Sequence, residues 1–489
     1  MLLEWLRVHA ESVSSTSSGE SRLNRFHEIM LTGILFAALF GLGLAACSGE
    51  PGGAGEGRPE RPEPKRYNVL LVSLDTLRAD HMGAYGYDRD VSPRIDAFAG
   101  RSVRFERAYS HAPWTTPAHA AMLTSLYPTM MGLHKYPKTG RIGDRVETMA
   151  EFFKAHGYLT QAVTEGGMVH AEFGFAQGFD YYFQSARHVD QGVEKTFAWL
   201  DKYGDHPFFF FFHTYDIHRY DPPDEFQALF VDPAYERLRG DPDLAKKIQE
   251  YENEDFVASL DDEDLKYIKD LYDASIRWVD QYVGTLLEYL ERRGLLDRTI
   301  VVITSDHGEE FLERSRTGHG YSNFEEQIHV PLIFHHPDLQ PGTRDTMFRH
   351  IDLLPTLAEA VGLPGRPEWL GESLWDVIAR GDGPTVEDRK LSFCECGHSN
   401  YRSVQSLRWK LIDNKTPRRM LLYDLEGDPM EKQDVSKENP QMQRRLKDLL
   451  DRIEQVNQEI SPRFAGEGVR EGDLPEDLLE QLRKLGYAK

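Results

Sequence analysis

The chain has 489 residues, enough for one large core with a smaller appended domain or for two ordinary domains. Its 80 acidic and 57 basic side chains give a formal net charge of -23, which repels phosphate backbones and argues against nucleic acid as a partner. Three cysteines, Cys47, Cys394 and Cys396, are too few for a disulfide framework or a cysteine-rich zinc site. Cys394 and Cys396 would share one face of a strand and read as packing.

At the N-terminus, Arg22 and Arg25 precede an apolar run, Met30 to Ala46, that closes on Leu44-Ala45-Ala46-Cys47. This is the layout of a signal peptide, and its end is similar to a bacterial lipobox with Cys47 as the lipidated residue. The run sits at the lower limit for spanning a bilayer, which favours cleavage over a membrane helix. Residues 48–66, almost all Gly, Pro, Glu and Arg, cannot build a core and read as a tether. The expected location is the cell envelope. The chain would be held in the periplasm by its lipid, at the outer membrane in preference because Ser48 follows Cys47, or else secreted. The expected domains are a signal peptide and lipobox over 1–47, the tether over 48–66 and a catalytic domain over 67–380. A C-terminal subdomain with a helix, 381–460, and a tail, 461–489, complete the chain.

Val69 to Leu74 is a continuous apolar strand ending at Asp75. A helix is expected to open near Pro117 with Thr116 as its cap, which sets Thr115 at the positive end of that helix. Thr148 and Glu151 form a capping box for another, which stops at Gly157 ahead of a strand over Leu159–Thr164. Phe208–Phe212 reads as a buried strand running into His213–His218, and Asp224–Asp264 as an acidic, irregular insertion near the substrate entrance. Helical spacing returns in Val279, Val283, Leu286, Leu287 and Leu290, with Gly294 closing the helix. Thr299–Thr304 is a buried strand delivering Ser305-Asp306-His307-Gly308. This alternation predicts a doubly wound α/β sheet. From about Arg380 the pattern shifts to short strands and then to an amphipathic helix through Met442–Ile460.

Asp75, Asp306 and His307 each stand at the carboxyl end of a strand, where one crevice collects side chains. With the Thr115 hydroxyl they have the makings of a divalent-metal shell. Singly, each also reads as a turn or a helix cap.

The run Asn68–Asp80 and the segment Thr115-Thr116-Pro117-Ala118-His119, continuing to Ser125, come first. Thr304–Glu310, Gly318-His319-Gly320, Glu325-Glu326, Val330–Ile333, Ile351–Leu357, Leu422–Leu425 and Asp428-Pro429 follow. In this order, over about residues 67–455, the motifs resemble those of the sulfatase branch of the alkaline phosphatase superfamily. The resemblance implies an alkaline-phosphatase-like, doubly wound, mostly parallel sheet with a smaller C-terminal α+β domain. It implies that Asp75, Thr115, Asp306 and His307 bind one divalent metal. Thr115 would be the nucleophile, with His218 and His319 contacting the oxyanion or protonating the leaving group, and His119 is expected as a further catalytic residue.

Several positions depart from the family pattern. Thr115 rules out formylglycine, which needs Cys or Ser. His119 stands where the signature has Arg, Thr76 where many sulfatases carry Asp, and His307 where they carry Asn. The lysine-histidine pair expected beyond Thr164 is replaced by Glu165-Gly166-Gly167. The imidazole at His307 favours manganese or zinc over calcium. A second metal on Asp216, His218 and His350 is an open alternative. The expected activity is hydrolysis of a small-molecule or head-group ester, phosphate or phosphonate in preference to sulfate, at a membrane reached through the lipid anchor. The alternatives are an arylsulfatase-like sulfuric ester hydrolase, a transferase that passes a phospho-head-group to an alcohol, and a non-catalytic binding lipoprotein.

Overall fold

The computed structural model describes residues 66–133, 140–250, 253–381, 391–396, 401–415, 418–469 and 474–485. The signal peptide, the lipobox with Cys47 and all of the expected tether but Arg66 lie outside the described residues.

The strands in chain order begin with β1 (Asn68–Leu74), β2 (Val103–Tyr109), β3 (Gly140–Ile142), β4 (Leu159–Val163), β5 (Tyr181–Phe183) and β6 (Phe208–Thr214). Then come β7 (Thr299–Thr304), β8 (Glu310–Phe311), β9 (Thr317–Gly318), β10 (His329–His335), β11 (Gly342–Arg344) and β12 (Phe348–Arg349). The last five are β13 (Ser392–Cys396), β14 (Tyr401–Gln405), β15 (Trp409–Lys415), β16 (Arg418–Asp424) and β17 (Ala465–Gly468). The main sheet runs β11-β2-β10-β7-β1-β6-β4-β5, with β12 also paired to β2. Its centre, β7-β1-β6-β4, is parallel, and β10 enters antiparallel to both β7 and β2. Every residue of β1, β6 and β7 is buried, because helices cover both faces; their sequences are therefore apolar runs instead of alternations.

The helices that matter for the site are α1 (Pro93–Ala99), α2 (Thr115–Thr124), α3 (Met149–Ala155), α4 (Val189–Tyr203) and α5 (Asp262–Arg292). They are followed by α6 (Glu325–Ile328), α7 (Leu353–Ala360), α8 (Pro440–Ile460) and α9 (Glu476–Lys484). The capping box of α3 forms as expected, Thr148 Oγ1 accepting from the Glu151 N–H and Glu151 from the Thr148 N–H. Helix α2 starts earlier than its proline implies. Trp114 is the N-cap, and the Thr116 hydroxyl donates to the Met168 carbonyl at 2.7 Å instead of capping the helix. Helix α5 begins at Asp262 behind a capping box of Asp261 and Asp264, well ahead of the apolar spacing that marks its C-terminal half. Its first half buries Asp270 and Asp273, both paired to Arg89, and these acids dilute the periodicity. The segment expected to be irregular, Asp224–Asp264, carries short helices at Asp224–Gln227, Leu244–Gln249 and Glu254–Ser259.

A four-stranded antiparallel sheet, β13-β14-β15-β16, forms the small C-terminal domain with α8, which buries Leu446, Leu450 and Ile453. The stretch expected as a tail instead carries structure. β17 pairs with β3, and α9 buries Leu478, Leu479 and Leu482 against the catalytic body. Its leucines recur at helical spacing within a charged segment, and a docking face supplies the apolar contact that an isolated helix of this length would lack.

Candidate active site

The parallel register sets Ser73 beside Thr304 of β7 on one side and beside His213 of β6 on the other. The residues that follow β1 and β7 therefore emerge side by side. Asp75, Asp306 and His307 offer ligand atoms all within 4.8 Å of one another, and all three are fully buried. Thr76, immediately after Asp75, adopts a left-handed φ of 60°, a strained turn for a β-branched residue. The turn aims the Thr76 N–H at Asp306 Oδ1, 3.3 Å away, while the Thr76 hydroxyl bonds back to the Asp75 carbonyl and so stays out of the shell. His307 Nδ1 lies 2.9 Å from the Gly308 carbonyl, so it carries the proton and leaves Nε2 as the lone-pair nitrogen.

Thr115 is the first residue of α2. Its Oγ1 lies 3.4 Å from Asp75 Oδ2 and 3.4 Å from His307 Nε2. His119, one turn later, is fully buried. Its Nδ1 is 3.0 Å from the Thr115 carbonyl and 3.4 Å from Asp306 Oδ2, and its Nε2 is 2.9 Å from Ser73 Oγ. Both nitrogens of His119 are thus engaged by Thr115, Asp306 and Ser73.

His218 and His319 pack ring to ring, centroids 5.0 Å apart, and His319 lies 4.3 Å from the His307 ring. Two buried residues that sequence reasoning left without a role belong here. His213, at the end of β6, places Nε2 3.2 Å from Asp75 Oδ2. Glu309 places Oε1 3.2 Å from His319 Nδ1, and Gln249 Nε2 donates to its other oxygen at 2.8 Å. The signal for His213 was its place at the carboxyl end of a strand beside β1; for Glu309 it was adjacency to the Asp-His-Gly turn. Asp216, in contrast, is taken by His188, Arg219 and the Val189 N–H, and His350 by Thr304. Among the described residues, Asp216, His218 and His350 do not converge on a second metal position.

Burial, and then the charge of Asp306, push the Asp75 carboxyl well above its usual range. Burial opposes ionisation of Asp306 too, but its imidazole neighbours, His307 first, and the Thr76 N–H hold this carboxyl low. His119 is pushed down, and His213, His218 and His319 far down, chiefly by burial, so these rings are neutral near pH 7. Asp75 Oδ1 has no hydrogen-bond partner although it is fully buried. Two close carboxylates, an orphaned oxygen and an imidazole lone pair form a donor set that fits a divalent cation, whose charge would relieve the repulsion between Asp75 and Asp306.

The protein-family description "Sulfatase" matches residues 67–363. The chain belongs to the sulfatase family. A second description, the C-terminal domain of N-sulphoglucosamine sulphohydrolase, matches residues 321–459. The uncharacterized sulfatase YidJ of Escherichia coli K12 is 27% identical over 423 residues, covering 75% of this chain and 82% of that protein. The N-acetylglucosamine-6-O-sulfatase of Bacteroides thetaiotaomicron is 23% identical, covering 88% and 92% respectively. The phosphonate monoester hydrolase of Agrobacterium radiobacter shares the fold, with a TM-score of 0.64 at 19% identity over 81% of this chain and 96% of its own. The expected alkaline-phosphatase-like α/β architecture is thus the observed one, and the chain is an ester hydrolase of this superfamily, whose sulfatases use a divalent metal.

Proposed function

We propose that this sulfatase-family hydrolase cleaves phosphate or phosphonate esters in preference to sulfate esters, with Thr115 as a covalent nucleophile. The observation that carries the reading is the Thr115 hydroxyl at the start of α2, 3.4 Å from both Asp75 Oδ2 and His307 Nε2. Asp75, Thr115, Asp306 and His307 would hold one divalent cation, manganese or zinc in preference to calcium because one donor is a ring nitrogen. When bound, it supplies a lowered pKa at the Thr115 hydroxyl and neutralises charge on the transferring group.

The first turn of α2 adds partial positive charge at the oxyanion. Asp75 Oδ2 accepts the hydrogen bond of the Thr115 hydroxyl and takes its proton as Oγ1 attacks phosphorus. The bond from phosphorus to the leaving oxygen breaks as His319 gives its Nε2 proton to that oxygen and takes at Nδ1 the proton of Glu309, whose carboxyl burial raises. As water opens the phosphothreonine it gives a proton to His319 Nε2, Nδ1 returns its own to Glu309, and the Thr115 oxygen recovers its proton from Asp75. His218, packed on His319, orients it and lines the oxyanion side. The chain acts in this reading as a periplasmic lipoprotein anchored through Cys47.

The names of the curated relatives support a second reading, sulfate ester hydrolysis on the same residues. Measuring kcat/KM for matched aryl sulfate, aryl phosphate, aryl phosphodiester and phosphonate ester, with Thr115→Ala as the blank, decides between them. The proposal expects a phosphoryl or phosphonyl substrate to lead and Thr115→Ala to be inactive. A sulfate ester leading by about tenfold, with activity lost in Thr115→Ala, would overturn the phosphoryl preference.

A further inference from the structure

The two family matches end at residues 363 and 459, yet α9, beyond both, reaches the wall of the active site. The contact falls on Gly166-Gly167, where the family resemblance leads one to expect a lysine-histidine pair. Both glycines take left-handed φ values, 74° and 56°. A Cβ on Gly166 would sit 2.6 Å from Gln481 Oε1, and one on Gly167 would sit 2.7 Å from Leu485 Cδ1 and 2.9 Å from the Tyr215 ring. The space that side chains would occupy is filled by Gln481 of α9, Leu485 at its end, Tyr215 and the Gln184 carbonyl, so the glycine pair and the docked helix are fitted to each other.

From this contact a short run of hydrogen bonds leads to the nucleophile. Gln481 Oε1 accepts the Gly167 N–H at 3.1 Å. The next residue, Met168, gives its N–H to the Tyr215 hydroxyl at 2.8 Å, and its carbonyl accepts from Thr116 Oγ1 at 2.7 Å. Thr116 adjoins Thr115 in the first turn of α2. The Tyr215 ring stands edge-on to His213, centroids 4.5 Å apart, and to His218 at 5.9 Å. The segment between Thr164 and His170 joins no sheet ladder; its backbone is held by one tight turn, Val169 and His170 donating to the Gly166 and Gly167 carbonyls, and by side-chain bonds.

We propose that Gln481 is a positioning residue for the reaction, and that α9 is a working part of the active site. The inference rests on Thr115 being the nucleophile. Without the Gln481 acceptor, the Gly167 N–H loses its partner and the 166–167 peptide is left with the bond from the Val169 N–H to the Gly166 carbonyl, 3.1 Å. A shift of that peptide carries the adjoining Met168 with it, and so displaces the carbonyl that fixes Thr116 and the N–H that fixes Tyr215. Small displacements of a reacting group are costly to turnover, a 1 Å error reaching about 100-fold.

The test uses the full-length chain and an aryl ester that the wild type turns over. Gln481→Leu removes the acceptor at similar size, whereas Gln481→Glu keeps an oxygen in its place. The expected result is a kcat about tenfold or more lower for Gln481→Leu, with KM within about twofold, Tm close to wild type and Gln481→Glu restoring most of the loss. Wild-type kcat in Gln481→Leu overturns the proposal, as does equal loss in the Leu and Glu variants or a loss that tracks Tm. Activity surviving in Thr115→Ala would instead sink the nucleophile reading. An inactive Thr115→Ala beside a fully active Gln481→Leu sinks this inference alone.

Discussion

His213 Nε2 lies 3.2 Å from Asp75 Oδ2, and both side chains are fully buried. The contact divides the carboxylate: Oδ2 is turned to His213 and Thr115, while Oδ1 has no hydrogen-bond partner. Burial and the neighbouring His119 keep the His213 ring neutral, so its single proton serves Asp75. Partners of this kind orient metal ligands, and their loss costs about 10–100-fold in metal affinity. His213→Phe, which keeps the ring's packing against Tyr215, should weaken divalent-cation binding by that factor with little change in Tm. Competition against a fluorescent chelator measures it. Unchanged affinity would assign His213 to packing.

The identity of the cation follows from the His307 nitrogen. Oxygen-only shells suit calcium, and an imidazole shifts preference toward manganese or zinc. Elemental analysis of gently purified protein should find a transition metal, and His307→Asn should move the preference toward calcium. Full activity with calcium alone in the unaltered protein is the opposing outcome.

The small C-terminal domain is fastened to the catalytic body by a buried ion triad. Lys410 Nζ lies 2.9 Å from Glu325 and 2.7 Å from Glu431, with all three side chains at least largely buried. Burial raises Glu431 to about 7 even beside this lysine. Lys410→Met should cost about 3–5 kcal/mol, because it strands two buried carboxyls. A buried carboxyl whose folded pKa lies above its unfolded value is most favourable to the fold at low pH and loses stability as pH rises through the folded value. Lys410 lowers Glu431, so its loss raises the folded value further, and the deficit of Lys410→Met against wild type should grow as pH rises above about 7. Urea unfolding at several pH values checks both the size and the sign, and a deficit independent of pH would contradict the account.

Strand ends were the legible part of this site. Val69–Leu74 and Thr299–Thr304 are apolar runs that can only be buried strands, so the polar residues after them had to line the crevice. What the sequence hid was lateral. The place of His213 beside Asp75 depends on β6 being the neighbour of β1, a fact of sheet order that no local pattern carries. His119 looked reactive by its place in a motif, but the same turn that seats Thr115 also directs both its nitrogens into the protein. The residues 461–485 read as a tail because β17 and α9 each need a distant surface to be stable, β3 for one and Gly166-Gly167 for the other.

The N-terminal expectation is tested on the cell and not on the fold. Growth with a labelled fatty acid should label the protein, and Cys47→Ala should abolish both the label and the membrane fractionation. A Cys47→Ala protein that still labels would refute the lipobox reading.

The last prediction concerns the fate of the Thr115 ester. Formylglycine hydrate carries two hydroxyls on one carbon, so after one accepts a sulfuryl group the other can collapse to the aldehyde and expel sulfate. Thr115 has one hydroxyl and no such route. If an aryl sulfate does transfer its sulfuryl group to Thr115, the phenol leaves, and the threonine sulfate can be opened only by renewed attack at sulfur, with no neighbouring group to drive it. A phosphothreonine differs, because in-line displacement by water is a step that positioning and electrostatics promote. Rapid mixing should therefore show continuous phenol release from an aryl phosphate. From an aryl sulfate it should show at most one equivalent per active site, followed by a stall, with the modification found on Thr115 by mass spectrometry of the quenched protein. Thr115→Ala should give neither phase. Steady multiple turnover of the aryl sulfate, at a rate comparable with the phosphate, would mean that the site opens a threonine sulfate by a route that these residues do not display.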